Sequence, residues 1–251
     1  IIIFILMSKV AFGEFFQDIS SSIKNNPKRL SYGIAVTDFN KDGRFEFIVT
    51  GFRYPNLILS YKNGYLENIN KDELFADNNR ATIGVAACDI DNDGFEELYF
   101  LNTDTYSGQK QFSDRLLDNE TNITDLFQLD KNLKSLNLTA GRSVVCVDRN
   151  GEGIYGIYVA NYGGPTRFYE LIDGFIVDQA PLLNINKITG GRAVISGHII
   201  SNQMDIFAAN ERGPNFFYLN ENGAFKEFAE KLSIEDTFEN GRGTTPVSYT
   251  H

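Results

Sequence analysis

Residues 32 to 50 read "YGIAVTDFNKDGRFEFIVT": two short β-branched and aromatic runs on either side of a polar, acidic stretch. Neither run carries the 3.6-residue apolar period of a helix, and both have strand length. The pattern predicts two strands joined by an acidic loop, and it comes back along the chain. "YGIAVTDFNKDGRFEFIVTG" recurs as "IGVAACDIDNDGFEELYFLN", with Gly84, Asp89 and Glu97 each 51 residues after Gly33, Asp38 and Glu46. A third copy, "GRSVVCVDRNGEGIYGIYVAN", starts at Gly141, a fourth, "GRAVISG", at Gly191, and "GRG" at Gly241 opens a fifth. These three Gly-Arg pairs are spaced by 50 residues each.

The later part of each unit has its own signature. Pro55-Asn56, Pro165-Thr166 and Pro214-Asn215 each precede an apolar run. Seven residues after the Asn or Thr comes Asn63-Gly64, Asp173-Gly174 or Asn222-Gly223. Asn-Gly and Asp-Gly favour two-residue hairpins because both central residues need positive φ. Each unit therefore reads as four strands, in the first at about residues 33–37, 45–50, 56–61 and 65–69. The second unit lacks the Pro-Asn pair and carries extra polar residues around 103–122, read as a long loop. Four-stranded units at this period predict an all-β fold of propeller blades, with a β-sandwich as the weaker alternative.

The first loop places oxygen-bearing side chains at Asp38, Asn40, Asp42 and Glu46. Carboxylates this close repel one another unless a cation sits between them, and a hard cation of high coordination number, calcium, is the expected cofactor. The loop is not an EF-hand, whose twelfth position is a bidentate Glu between two helices; Val49 stands there, between strands. Here the ninth residue, Glu46, would close the cage, and Arg44 would offer its backbone carbonyl. The second loop repeats the set as Asp89, Asp91, Asp93, Phe95 through its carbonyl, and Glu97. The third, Asp148, Asn150 and Glu152, has Gly156 where the ninth-position acid should stand, so its site is in doubt. The fourth unit has no acidic loop between Ser196 and Asp205.

The repeats "GVAACDIDNDGFEELYF", "CVDRNG", "IYVANY" and "RGPNFFYLNENGAF" resemble the FG-GAP, or VCBS, blades of integrin α-subunits and of the ASPIC and UnbV group, from about Tyr32 to Gly243. That resemblance implies secreted, calcium-binding, seven-bladed propellers that act by binding other molecules. The expected partners are extracellular or cell-surface proteins and glycans. It carries the calcium positions onto Asp38, Asn40, Asp42, Arg44 and Glu46, and onto Asp89, Asp91, Asp93, Phe95 and Glu97. About four of the seven blades are present, so residues 14–243 read as an incomplete FG-GAP/VCBS propeller.

Composition narrows the rest. The 251 residues are 42% hydrophobic and 22% charged, enough for a real core, and the formal charge of −10 offers no basic stripe for nucleic acid. No apolar run is long enough to span a membrane, although residues 1–13, "IIIFILMSKVAFG", resemble a clipped signal peptide. Asn119, Asn122 and Asn137 each head an N-x-[ST] sequon, as a secreted glycoprotein would have. Cys88 directly precedes its loop Asp and Cys146 lies two residues before its own, so their side chains are expected to face opposite ways and not to bridge. The tail 244–251 has Pro246, Val247 and Ser248 where a loop acid should come, and reads as foreign to the fold. The two histidines, His198 and His251, have no triad-like company, and no zinc or phosphate motif is present, so an enzyme is not expected. The alternative function is a carbohydrate-binding or carbohydrate-active propeller, with loop tyrosines Tyr54, Tyr106 and Tyr162 as an aromatic platform.

Overall fold

The computed structural model describes residues 17–26 and 28–245. The expected signal remnant at 1–13 lies outside the described residues, as do 246–251 of the expected foreign tail.

The first four-stranded antiparallel sheet comprises β1 (Ile34–Thr37), β2 (Glu46–Val49), β3 (Leu57–Lys62) and β4 (Tyr65–Asn68), in that spatial order, followed by a one-turn helix α1 (Glu73–Ala76). The second is β5 (Thr82–Cys88), β6 (Glu97–Asn102), β7 (Arg115–Asp118) and β8 (Thr124–Asp125). The third is β9 (Gly141–Val147), β10 (Gly156–Pro165), β11 (Arg167–Ile172) and β12 (Phe175–Asp178). The fourth is β13 (Ile188–Gly197), β14 (Asp205–Asn210), β15 (Phe216–Glu221) and β16 (Ala224–Glu227), followed by a short helix α2 (Ala229–Leu232). A long β10 reaches past its own sheet to pair with β13, Tyr162 opposite Gly190 and Pro165 opposite Ile188, so the last two units share one eight-stranded sheet.

The hairpin turns take the backbone their residues dictate. Asn63 and Gly64 have φ of 53° and 84°, Asp173 and Gly174 of 50° and 76°, and Asn222 and Gly223 of 55° and 84°. Between successive sheets lie three cores. Ile48, Ile58, Phe75, Leu98 and Phe100 fill the first. Cys88, Tyr99, Leu101, Ile157 and Tyr169 fill the second, and Val147, Tyr158, Phe168, Val194 and Tyr218 the third. Alternation explains this layering: Leu98 and Phe100 of β6 point into one gap, Tyr99 and Leu101 into the next. Inner strands are therefore buried on both faces, which is why they read as near-continuous apolar runs.

Register fixes which residues are equivalent. Thr37 pairs with Glu46, Cys88 with Glu97, Val147 with Gly156 and Gly197 with Asp205. On this frame Gly33 and Gly84 correspond to Ser143, and Gly141 sits two positions further upstream than repeat-to-repeat matching of glycines suggests.

One expectation is overturned. Cys88 and Cys146 form a disulfide, with Cα atoms 5.6 Å apart. Their side chains do lie on opposite faces of their own strands, since Cys88 matches Val147 and Cys146 matches Ala87. But β5 and β9 belong to sheets stacked face to face, and two residues that meet across such a gap must point in opposite senses within their own sheets. The premise was right and the conclusion inverted.

Candidate metal centre

Both acidic loops leave β1 or β5 and return along β2 or β6, and the same backbone is built twice. Lys41 and Gly43 have φ of 60° and 84°, Asn92 and Gly94 of 63° and 89°. Glycine at the second of each pair is needed for a residue in the left-handed region, and it lets the loop fold its carbonyls and side chains inward. Asp38 accepts from the backbone N–H groups of Asp42 (3.0 Å) and Gly43 (2.8 Å); Asp89 does the same for Asn92 (2.7 Å) and Gly94 (3.0 Å). Asp42 accepts from Arg44 N–H and Asp93 from Phe95 N–H, at 3.0 and 2.8 Å. Those bonds hold the first and third ligand positions of each loop against the loop's own backbone.

The ninth-position acids close the two loops from below. Glu46 is fully buried and accepts from the Asn40 side chain (3.2 Å) and the Ser60 hydroxyl (3.0 Å). Glu97 is 3% exposed and accepts from the Ile90 N–H at 2.9 Å. Carboxylate oxygens of Asp89, Asp91 and Glu97 all lie within 4.8 Å of one another. Burial, and then the charges of Asp91, Asp118 and Asp93, push Glu97 up from 4.5 to about 8. Burial, and then Asp93, Asp89 and Asp118, raise Asp91 as well. Carboxylate oxygens gathered this tightly, one of them on a buried group whose pKa is raised by burial, are a donor set that a hard divalent cation fits. The side chains of Asp38, Asn40, Asp42 and Glu46, and of Asp89, Asp91, Asp93 and Glu97, would hold it, with the carbonyls of Arg44 and Phe95.

Register also exposes what the sequence pattern missed. Phe47 pairs with Leu59, Leu98 with Leu117 and Ile157 with Tyr169, so Ser60, Asp118 and Glu170 each lie on the third strand across from the ninth loop position. Ser60 supports Glu46 and the Asp118 charge acts on Glu97, whereas in the third unit Glu170 bonds Arg149 through both oxygens, at 2.5 and 3.0 Å. The third loop keeps the fold of the others, Gly151 and Gly153 at φ of 74° and 80° and Asp148 accepting from Gly153 N–H at 2.8 Å. It has no closing acid, and the present packing leaves no room for one: a Cβ on Gly156 would lie 2.7 Å from the Phe168 ring. In the fourth unit Asp205 does occupy the ninth position and is fully buried, but backbone N–H groups of Ile200 (2.7 Å), Ser201 (3.0 Å) and Asn220 (2.8 Å) surround it. For Ser60 and Glu170 a signal existed in the sequence, four residues after Asn56 and Thr166, but it could be used only once strand register was known, and Asp118 has no such pair before it.

The other singled-out residues scatter. Tyr106 and Tyr162 meet edge to face at 5.2 Å, while Tyr54 lines a separate cleft with Ile23 and Leu57. Tyr162 lies in β10 and is buried, so it is not the loop residue its surroundings suggested. Among the sequons, Asn122 is exposed, but the fully buried Asn137 donates its side-chain N–H groups to Asp114 (2.6 Å) and Asn161 (3.0 Å). That amide is not accessible in the folded chain.

Sheets of this kind with these loops are similar to FG-GAP-like repeats, and the family model described as "FG-GAP-like repeat" matches residues 29–100, the first unit and part of the second. The chain is a homologue of cartilage acidic protein 1: it is 42% identical to the Xenopus tropicalis protein over 252 residues and 41% identical to the Homo sapiens protein over 254, covering 90% of this chain in each case. It spans 39% and 38% of the length of those relatives. Among solved structures, BBS1N in complex with ARL6DN is similar at 10% identity and a TM-score of 0.46, over 77% of this chain and 55% of that one.

Proposed function

We propose that this chain is part of a secreted, calcium-binding β-propeller that acts as an extracellular protein-interaction or adhesion module and not as an enzyme. The observation that carries the reading is the twice-built loop with a buried Glu46 or Glu97 at equivalent places, in the second of which carboxylate oxygens of Asp89, Asp91 and Glu97 converge within 4.8 Å. Calcium would pin the outer ends of β1–β2 and β5–β6, fixing the surfaces they display. The Cys88–Cys146 bridge supports an oxidising compartment, in keeping with secretion. Likeness to a protein named for cartilage points to the extracellular matrix. No helix among the described residues is long and apolar enough to cross a membrane.

Extracellular calcium sites bind at about 10⁻⁴ to 10⁻³ M, so each site at tenfold its Kd adds about 1.4 kcal/mol of stability. Two sites then raise the melting temperature by roughly 5–10 °C in a chain of this size. A calcium titration followed by thermal melting tests this, and no shift at millimolar calcium would refute it. A pull-down from extracellular extract, with and without chelator, then identifies the partner. The carbohydrate-active reading has less support, because Tyr54 stands apart from Tyr106 and Tyr162 and the three do not form one platform.

A further inference from the structure

The Gly-Arg pairs recur every 50 residues, and calcium coordination gives them no role. By strand register, Tyr32, Ile83, Arg142 and Arg192 occupy the same place in successive units, five residues before the end of each first strand. Arg242 follows at the next interval. All five line one cavity of 680 Å³, together with the exposed Tyr106 from the long loop of the second unit. The repeat thus gathers three guanidinium groups in one mouth, whose lining also includes the apolar Phe52 and Ile83 and the polar Thr103, Asp104 and Thr105.

Their charges are not balanced there. Glu211 bonds Arg192 through Nε at 2.5 Å and through Nη2, and its other oxygen lies 3.6 Å from Arg242. Asp104, also on the rim, spends its carboxylate on the backbone N–H groups of Gln111 and Phe112, at 3.0 and 2.8 Å. Arg142 has no carboxylate partner among the described residues. Its Nη1 donates to the Gly141 carbonyl and the Thr103 hydroxyl and its Nη2 to the Tyr106 carbonyl, while Nε is buried without a partner. Of the five N–H groups of a guanidinium, the second on Nη2 is left for a ligand, the other unpaired one being the buried Nε–H. The Arg142 and Arg192 guanidinium carbons lie 5.3 and 4.9 Å from the Tyr162 ring centre and 5.7 and 5.8 Å from that of Tyr106. Stacking holds both planes in position and helps to offset the cost of keeping like charges together.

We propose that this mouth is a binding site for a ligand carrying an oxyanion group, a sulfate, phosphate or carboxylate, with Arg142 as the principal donor, Arg192 and Arg242 beside it, and Tyr106 as an apolar wall. The chain's overall negative charge does not prevent this, since at physiological salt charges beyond about 8 Å are screened while a guanidinium fork in contact is not. The site is independent of the calcium loops and stands or falls without them.

The test uses the full chain at constant ionic strength, titrated by calorimetry with inorganic sulfate, inorganic phosphate and acetate against chloride. Saturable binding of any of the three above the chloride control is expected, and the preference among them identifies the group. Arg142→Gln should weaken that binding by at least about fivefold, and Arg242→Gln, at an exposed position, by about twofold. No saturable binding of any of the three, or unchanged affinity in Arg142→Gln, would overturn the proposal. Should Arg142→Gln fail to fold, Arg242→Gln and Tyr106→Ala decide it, with unchanged affinity in both counting against the site.

Discussion

At the residue scale, the same position carries three solutions to one problem. Glu46 and Glu97 close a loop as buried acids, Gly156 leaves the place empty, and Asp205 fills it with backbone N–H groups for company. Their responses to acid differ accordingly. Glu97 has a folded pKa raised from 4.5 to about 8, so without calcium the folded state holds a proton that the unfolded state releases, and stability falls as pH rises through that window. Calcium must displace the same proton. Affinity of the second loop for calcium should therefore increase between pH 6 and pH 8, and Glu97→Gln should abolish both the binding and its pH dependence, as read by calorimetry. For Asp205, burial raises the pKa but the N–H groups of Asn220, Ser201 and Ile200 outweigh it, so the folded value is lowered. Its contribution is present above about pH 4 and is lost as pH falls through the lowered value. Asp205→Asn, which sets an amide against those N–H groups, should cost about 2 kcal/mol at neutral pH by denaturant melting, with calcium unable to restore it.

At the element scale, strands and turns were legible because their signals are local. The four strands of the first unit lie within a residue or so of their expected bounds, and Asn63-Gly64 fixed the β3–β4 hairpin through two positive φ values. What crosses between elements was not legible. Asp114 fills the place that Asn56 and Asn215 hold in other units, yet no Pro-Asn pair marks it; it accepts from Asn102 N–H at 2.7 Å and pairs with the fully buried Lys110. Asp114 and Lys110 both lie in a stretch that composition alone describes as a polar loop, while Tyr99, Asn102 and Asn137 reach Asp114 from outside it. The disulfide failed for the same reason, since strand faces are readable from sequence but the stacking of sheets is not. Closing the 58-residue separation between Cys88 and Cys146 restrains the unfolded chain by about 4 kcal/mol on loop-entropy grounds. Cys88→Ser with Cys146→Ser should lower unfolding stability by roughly 2–4 kcal/mol. Restoring the missing acid in the third unit should not create a calcium site. Gly156→Glu forces a Cβ against the Phe168 ring and should destabilise by about 1–3 kcal/mol with no gain in bound calcium.

For the whole molecule, the units differ in what holds their outer ends. The first two sheets carry the acidic loops proposed to take calcium, the third the Arg149–Glu170 ion pair, and the fourth the backbone ring around Asp205. The Cys88–Cys146 bridge joins β5 to β9, where the second sheet meets the third. Amide hydrogen exchange would see this as a boundary. On chelation, amides of β1, β2, β5 and β6 should lose protection while those of β10, β11, β14 and β15 keep theirs, because local opening is governed by what each segment loses. The crosslink should stop the loosening from travelling further along the chain. A scaffold built from repeats of one plan would then answer a fall in calcium at one end only, presenting its surroundings with a softened half and a rigid one.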